Sequence, residues 1–270
     1  MTVWRWIETG HTDGAFHMAA DQALLENVSE NRLPTMRVYS WNPACISLGA
    51  HQSVEDIDLD RCRKDGLEVV KRPTGGRAVL HCDEVTYSVV FPEGTPIFFH
   101  SLSEIYDLIN RGLLRGIRQL GVPAGLEKRS LNIRNHYKSK LSTSCFSAAA
   151  KFEIIVQGKK MVGSAQRRLA SGVLQHGSIL LGRGHFALPD YFKGISIKEK
   201  EEMERILQEK QISMKDVLKR DVSFEEAVSA IKKGMAEFLR VQFDSGSMTE
   251  KEMARAGELR ERFSISVPGT

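Results

Sequence analysis

The sequence predicts an α+β fold, a mixed or antiparallel sheet flanked by helices, with a helical C-terminal tail. Three observations carry this. Short apolar strands recur in hairpin-like runs rather than in strict strand–helix alternation. One segment behind Ser101 places Ile105, Leu108, Ile109, Leu113, Ile117 and Leu120 on a single helical face. From Pro189 onward the pattern turns charged and helical, as in Lys198 to Arg205.

Taken in order, Val3 to Ile7 alternates as a first strand, and Phe16 to Val28 carries Met18, Ala19, Ala23, Leu24 and Leu25 at helical spacing. Arg37 to Trp41 reads as a strand, Asn42-Pro43 as a turn, and Cys45 to Leu48 as a short buried strand. A helix from Ile57 to Asp65 stops at Gly66. Glu68 to Arg72 is a strand entering Pro73-Thr74-Gly75-Gly76, and Arg77 to His81 and Val85 to Phe91 are two more. Ser101-x-x-Glu104 is a capping box that starts the amphipathic helix. Phe152 to Val156 and Lys160 to Arg167 read as one hairpin around Gln157-Gly158-Lys159, followed by a strand from Gly172 to Leu181. Ser223-x-x-Glu226 and Thr249-x-x-Glu252 mark two helix starts in the tail. The expected organisation is a core over residues 1–188 and a helical segment over 189–270 packed on the same domain.

Composition narrows the class. Of 270 residues, 38 are basic and 34 acidic, so the net charge of +4 is too small to indicate a nucleic-acid binder. Apolar residues at 41% and charged residues at 27% fit an ordinary globular domain. The N-terminus has charges where a signal peptide needs an apolar stretch, and no run of about 18 apolar residues exists. No membrane association and a cytoplasmic location are therefore expected. Four cysteines, Cys45, Cys62, Cys82 and Cys145, include no CxxC pair, and the eight histidines show no metal-ligand spacing. No disulfide and no metal are expected.

Three segments are candidates for chemistry. In Lys71-Arg72-Pro73-Thr74-Gly75-Gly76-Arg77-Ala78-Val79-Leu80-His81 a strand ends in two cations and turns through paired glycines. Such a turn lets backbone N–H groups approach a ligand, with Arg72 and Arg77 facing a polar or anionic head group. Taken alone, it reads first as a plain turn with solvated charges. In Gly158-Lys159-Lys160-Met161-Val162-Gly163-Ser164-Ala165-Gln166 a lysine precedes small residues that leave room for a ligand. Lys160 there could oppose a developing oxyanion, or both lysines could be exposed on the hairpin. Ser142-Thr143-Ser144-Cys145-Phe146-Ser147 is a polar loop with one thiol, a nucleophile if a nearby cation lowers its pKa and otherwise a buried structural cysteine. Cys45 and Cys62 read as structural. Cys82 follows His81, but neighbours on a strand face opposite sides, which argues against a dyad. His176 in Gln175-His176-Gly177-Ser178 faces either a pocket or the core.

Together, in order, these segments resemble the biotin/lipoate A/B protein ligase family. Met18-Ala19-Ala20-Asp21-Gln22-Ala23-Leu24-Leu25 is similar to its first-helix motif, and Ser47-Leu48-Gly49-Ala50-His51-Gln52, the glycine turn, Gly158 to Gln166 and Gln175 to Leu181 follow. Within that family the chain resembles the octanoyltransferase branch. It has Gly75-Gly76-Arg77 where the ligases usually have three glycines, and its Cys145 loop resembles the one that carries the nucleophile. One departure is that Cys82 follows the histidine where the family commonly has Asp.

The resemblance implies an acyltransferase core over 1–188, with Cys145 attacking octanoyl-acyl carrier protein and Lys160 holding the acyl carbonyl. It implies Arg72, Gly75, Gly76, Arg77, Val79, His81, Val162, Gly163, Ser164, Ala165, His176 and Gly177 as substrate-binding, with Val79, Val162 and Ile179 lining an octyl slot. The implied acceptor is a lysine of an apo lipoyl domain, that of the glycine cleavage H protein first. No cofactor is implied, ATP and Mg being required only by the alternative, a lipoate–protein ligase. A second alternative moves octanoate between lipoyl domains. A monomer is expected.

Overall fold

The computed structural model describes residues 2–26, 32–127 and 152–265. Its main sheet has six strands: β1 (Thr2–Thr12), β2 (Thr35–Trp41), β6 (Glu84–Pro92), β10 (Val162–Leu169), β11 (Gly172–Leu180) and β12 (Val241–Gly246). Their spatial order is β10-β11-β6-β2-β1-β12. β1 runs parallel to both neighbours, while β2/β6, β6/β11 and β10/β11 are antiparallel, so the sheet is mixed. The edge strand β12 comes from the tail that reads as helical in sequence. Its run is too short and polar to signal a strand alone, and pairing with β1 makes it one.

A second sheet holds β3 (Cys45–Leu48) between β4 (Glu68–Lys71) and β5 (Val79–His81). The third, β7 (Gly125–Leu126), β8 (Ile154–Val156) and β9 (Lys159–Lys160), corrects the expected long hairpin. Gln157 and Gly158, both at positive φ, form the turn, but β8 and β9 pair over only two positions. The chain then leaves through buried Met161, and β10 joins the main sheet instead.

Helices cover both faces. α1 is Gly14–Glu26, α2 is Leu59–Lys64 and α3 is Leu102–Gln119, whose capping box at Ser101 and Glu104 is formed as expected. The tail supplies α4 (Ile197–Lys210), α5 (Met214–Leu218), α6 (Phe224–Leu239) and α7 (Glu250–Phe263). On one face α3 packs Ile105, Ile109 and Leu113 against Ile231 and Met235 of α6. The helices touch at glycines: a Cβ on Gly234 would lie 2.1 Å from the Gly116 nitrogen. On the other face α1 is sandwiched between the sheet and α7, and Ala19, Ala23, Ala256 and Phe263 share its core. Arg5 of β1 donates to both carboxylate oxygens of Glu252 at 2.6 and 2.8 Å, tying α7 to the sheet.

Candidate active site

A cavity of about 440 Å³ opens where α1, the second sheet and the β10–β11 ribbon converge. Its apolar walls are Met18, Trp41, Val79 and Ala165. Small residues leave this space open. A Cβ on Gly177 would lie 2.4 Å from the Gly163 carbonyl and 2.7 Å from Ser164 Oγ, so the ribbon closes at that point only with glycine. Tyr87 Oη accepts from Gln175 Nε2 at 2.8 Å and lies 2.7 Å from Ser164 Oγ, which orients the serine at the cavity wall.

The polar wall consists of two hydrogen-bonded chains. In the first, Asp21 of α1 sits fully buried and accepts from Arg37 at 2.7 Å, Tyr39 at 3.1 Å and His176 Nδ1 at 2.8 Å. Burial pushes the Asp21 carboxyl up, but the Arg37 guanidinium and His176 outweigh it and hold the group well below the usual carboxylate range. Burial lowers the His176 pKa despite Asp21, so the ring is neutral. Its proton lies on Nδ1, facing the carboxylate, and Nε2 accepts from the Thr74 hydroxyl at 2.7 Å.

In the second chain Arg72 donates to Ser47 Oγ at 2.8 Å, and Ser47 Oγ lies 2.7 Å from His81 Nε2. His81 Nδ1 faces Glu84 Oε1 at 2.8 Å, and that carboxylate also accepts from Thr86 and Ser178. Burial raises the Glu84 carboxyl, while His81 and these donors bring it below its ordinary value. Trp41 stacks on His81 with centroids 4.1 Å apart and donates to Thr86. The two chains present a hydrogen-bonded polar surface beside the apolar walls, suited to an acyl chain and its carbonyl.

Of the residues implied from sequence, Arg72, Val79, His81, Gly163, Ser164, Ala165, His176 and Gly177 line this cavity. Arg72 also braces the glycine turn from within, donating to the Arg77 carbonyl at 2.6 Å and the Gly75 carbonyl at 3.2 Å. Gly76, at φ +100, passes its carbonyl so close to Gly49 that a Cβ there would lie 2.0 Å away. Gly75, Gly76 and the Arg77 side chain are outside the cavity lining, and Gly75 lies in an adjoining groove. Val162 and Ile179 correct the octyl-slot reading. They pair across β10 and β11 on the face turned toward α3, and belong to the core there. Alternation of side chains along a strand gives the cavity their neighbour Gly163 instead.

Lys160 is buried rather than exposed, with Nζ 2.5 Å from Glu153 Oε1, and is not among the cavity-lining residues. Cys145 and its loop lie outside the described residues. The other three cysteines are poor nucleophiles. Burial raises the Cys45 thiol well above its ordinary value, Cys62 to about 12, and Cys82 likewise upward, with Glu84 adding to the last.

Asp21, Arg37, Ser47, Thr74, Glu84 and Ser178 are site residues that sequence reasoning did not assign. One signal was present: Asp21 stands inside a helix segment that is otherwise almost wholly apolar, and a charge so placed is buried only when paired.

Comparison with known proteins places the chain in a family. A profile of the lipoyl protein ligase A/B catalytic domain matches residues 13–236. The octanoyltransferase LipM of Geobacillus kaustophilus is 39% identical over 260 residues, spanning 95% of this chain and 94% of its own length. That of Lysinibacillus sphaericus is 38% identical over 270 residues, spanning 97% and 96%. In fold, a bi-partite lipoate protein ligase from Thermoplasma acidophilum superposes with a TM-score of 0.78 at 22% identity, covering 97% of this chain and 93% of the other. The chain belongs to the lipoyl protein ligase A/B catalytic domain family.

Proposed function

We propose that this chain is an octanoyltransferase of protein lipoylation that takes octanoate from octanoyl-acyl carrier protein and passes it to a lysine of an apo lipoyl domain, the glycine cleavage H protein being the first acceptor to try. The observation that carries the reading is an apolar cavity with a hydrogen-bonded polar wall, in a chain similar over nearly its whole length to octanoyltransferases. Burying the aliphatic part of an octanoyl group contributes roughly 5 kcal/mol, at about 0.8 kcal/mol per methylene.

The Cys145 thiolate attacks the thioester carbon, forming a new Sγ–C bond, and the pantetheine thiolate leaves and takes a proton. The amine of the target lysine then attacks the acyl-enzyme, an amide forms, the amine loses a proton and Cys145 is released. Thioester exchange is nearly isoenergetic and aminolysis runs downhill, so the reading requires no ATP. Lys160, held by Glu153, serves as the cation near the carbonyl oxygen, where losing one donor typically costs about 10²–10³ in rate. The high thiol pKa values at Cys45, Cys62 and Cys82 support Cys145 as the nucleophile. A free thiolate nucleophile also suits a reducing cytoplasm.

Intact-mass measurement after incubation with octanoyl-acyl carrier protein tests the reading. A single octanoyl adduct is expected on the parent and none on Cys145→Ala. An adduct on Cys145→Ala would remove the nucleophile assignment, and an unchanged rate in Lys160→Arg would remove the lysine.

A further inference from the structure

Next to the acyl cavity lies a second, more open groove of about 910 Å³. It is bounded by the end of β4, the glycine turn, the middle of β10 and the last turn of α7. Lys71, Arg72, Arg167 and Arg262 line it together with His51, and among the described residues no carboxylate does. Glu26 and Asp13, acids that α7 meets, are engaged by Arg255 and Arg260 instead. Arg167 is held in place through its contact with the Pro73 carbonyl at 3.0 Å.

The groove and the cavity adjoin. Arg72 lines both, and β10 passes from Gly163, Ser164 and Ala165 at the cavity to Gln166 and Arg167 at the groove. A substrate threaded into the cavity therefore has its apolar end against Met18, Trp41, Val79 and Ala165 and its following segment beside a cluster of cations.

We propose that this groove binds the phosphate of a 4′-phosphopantetheine arm, the carrier group that presents an acyl chain as a thioester. The proposal rests on the octanoyltransferase reading and adds to it the place where the donor is recognised. A phosphate is an anion that lysine recognises as a point charge and arginine by paired N–H donors. The arm joins an anionic end to an apolar acyl end, in the same order as groove and cavity. A nucleotide carries the same phosphate chemistry, and the experiment separates the two.

Initial rates of octanoyl transfer to an apo lipoyl domain are measured with two donors that differ only in the phosphate, S-octanoyl-4′-phosphopantetheine and S-octanoyl-pantetheine. The expected kcat/KM is about tenfold higher for the phosphorylated donor at low ionic strength, and the preference shrinks as salt screens the exposed cations. In Lys71→Glu/Arg262→Glu the ratio of the two falls to about one. Equal kcat/KM for the two donors in the parent chain would overturn the phosphate site while leaving the function intact, and needs no variant. A ratio retained in the double variant would likewise overturn it. Octanoyl-acyl carrier protein runs alongside as the full donor: transfer from it but from neither short donor would overturn the phosphate site alone, transfer from none of the three would overturn the function and the site with it, and use of free octanoate with ATP in that last case would make a nucleotide phosphate the occupant.

Discussion

Asp21→Asn isolates the charge at the centre of the site, because the amide has the shape of the carboxylate and opens no cavity. Asp21 and Arg37 are both completely buried, 2.7 Å apart. Without the carboxylate, Arg37 retains only neutral acceptors, among them Thr9 Oγ1 at 2.8 Å and the His17 carbonyl at 3.0 Å. Leaving one member of a buried pair uncompensated costs about 3–5 kcal/mol, a large part of the roughly 5–15 kcal/mol that holds a domain folded. The melting temperature is expected to fall by about 10 °C, at roughly 2–4 °C per kcal/mol for a chain of this size. The assay is urea unfolding followed by the fluorescence of the buried Trp4, Trp6 and Trp41. Adding Arg37→Met should recover part of the loss, since an apolar pair replaces an ion left alone. The acid limb gives a second check. Asp21 is held below its ordinary pKa in the folded state, so its contribution is complete above about pH 4 and disappears as pH falls through the depressed value. Asp21→Asn should lack that component. A loss below about 1 kcal/mol, or no recovery in the double variant, would refute the view that this pair is desolvated and mutually required.

Stability is also expected to decline between about pH 6.5 and pH 4, because burial lowers His17 to about 3, His185 to about 4 and His176 below its ordinary value. Over that range His17 and His185 take up protons mainly on unfolding, each adding up to about 1.4 kcal/mol per pH unit, His176 acts in the same direction, and urea midpoints across the range measure the slope. Ala165→Leu fills the cavity wall and should shift preference toward shorter acyl donors, by about fourfold in relative kcat/KM for each methylene excluded, read with hexanoyl and octanoyl thioesters. Gly49→Ala drives a Cβ into the Gly76 carbonyl and should cost about 1–3 kcal/mol in chemical denaturation. Gly257→Ala, on the exposed face of α7 with open space around it, should stabilise by about 0.5–1 kcal/mol.

Much of the scaffold was legible because its causes are local. The strand Cys45–Leu48 is a short apolar run bounded by turn residues, and its observed limits match the reading. The helix behind Ser101 begins at a capping box whose partners are three residues apart and buries the face its spacing predicts. The glycine turn was visible as paired residues lacking Cβ. What it does to its surroundings was not, since the close approach that excludes a side chain at Gly49 arises between two loop segments distant in sequence.

The chain by itself determined most of its strands and helices, its cation-flanked glycine turn, and the order of motifs that resembles one family. Spacing and side-chain type encode these within a few residues. Only the tertiary structure decided which side chains meet. Asp21 finds His176 across 155 residues, Thr74 finds it across 102, and β12 becomes a strand only by pairing with β1 at the other end of the chain. It likewise decided that Gly163, rather than Val162, faces the cavity, because the pleat gives successive residues opposite sides and only packing establishes which side is the core. Burial of charge follows the same rule: a carboxylate and a guanidinium are tolerated inside a protein only where the fold brings them together, and no local pattern records that meeting.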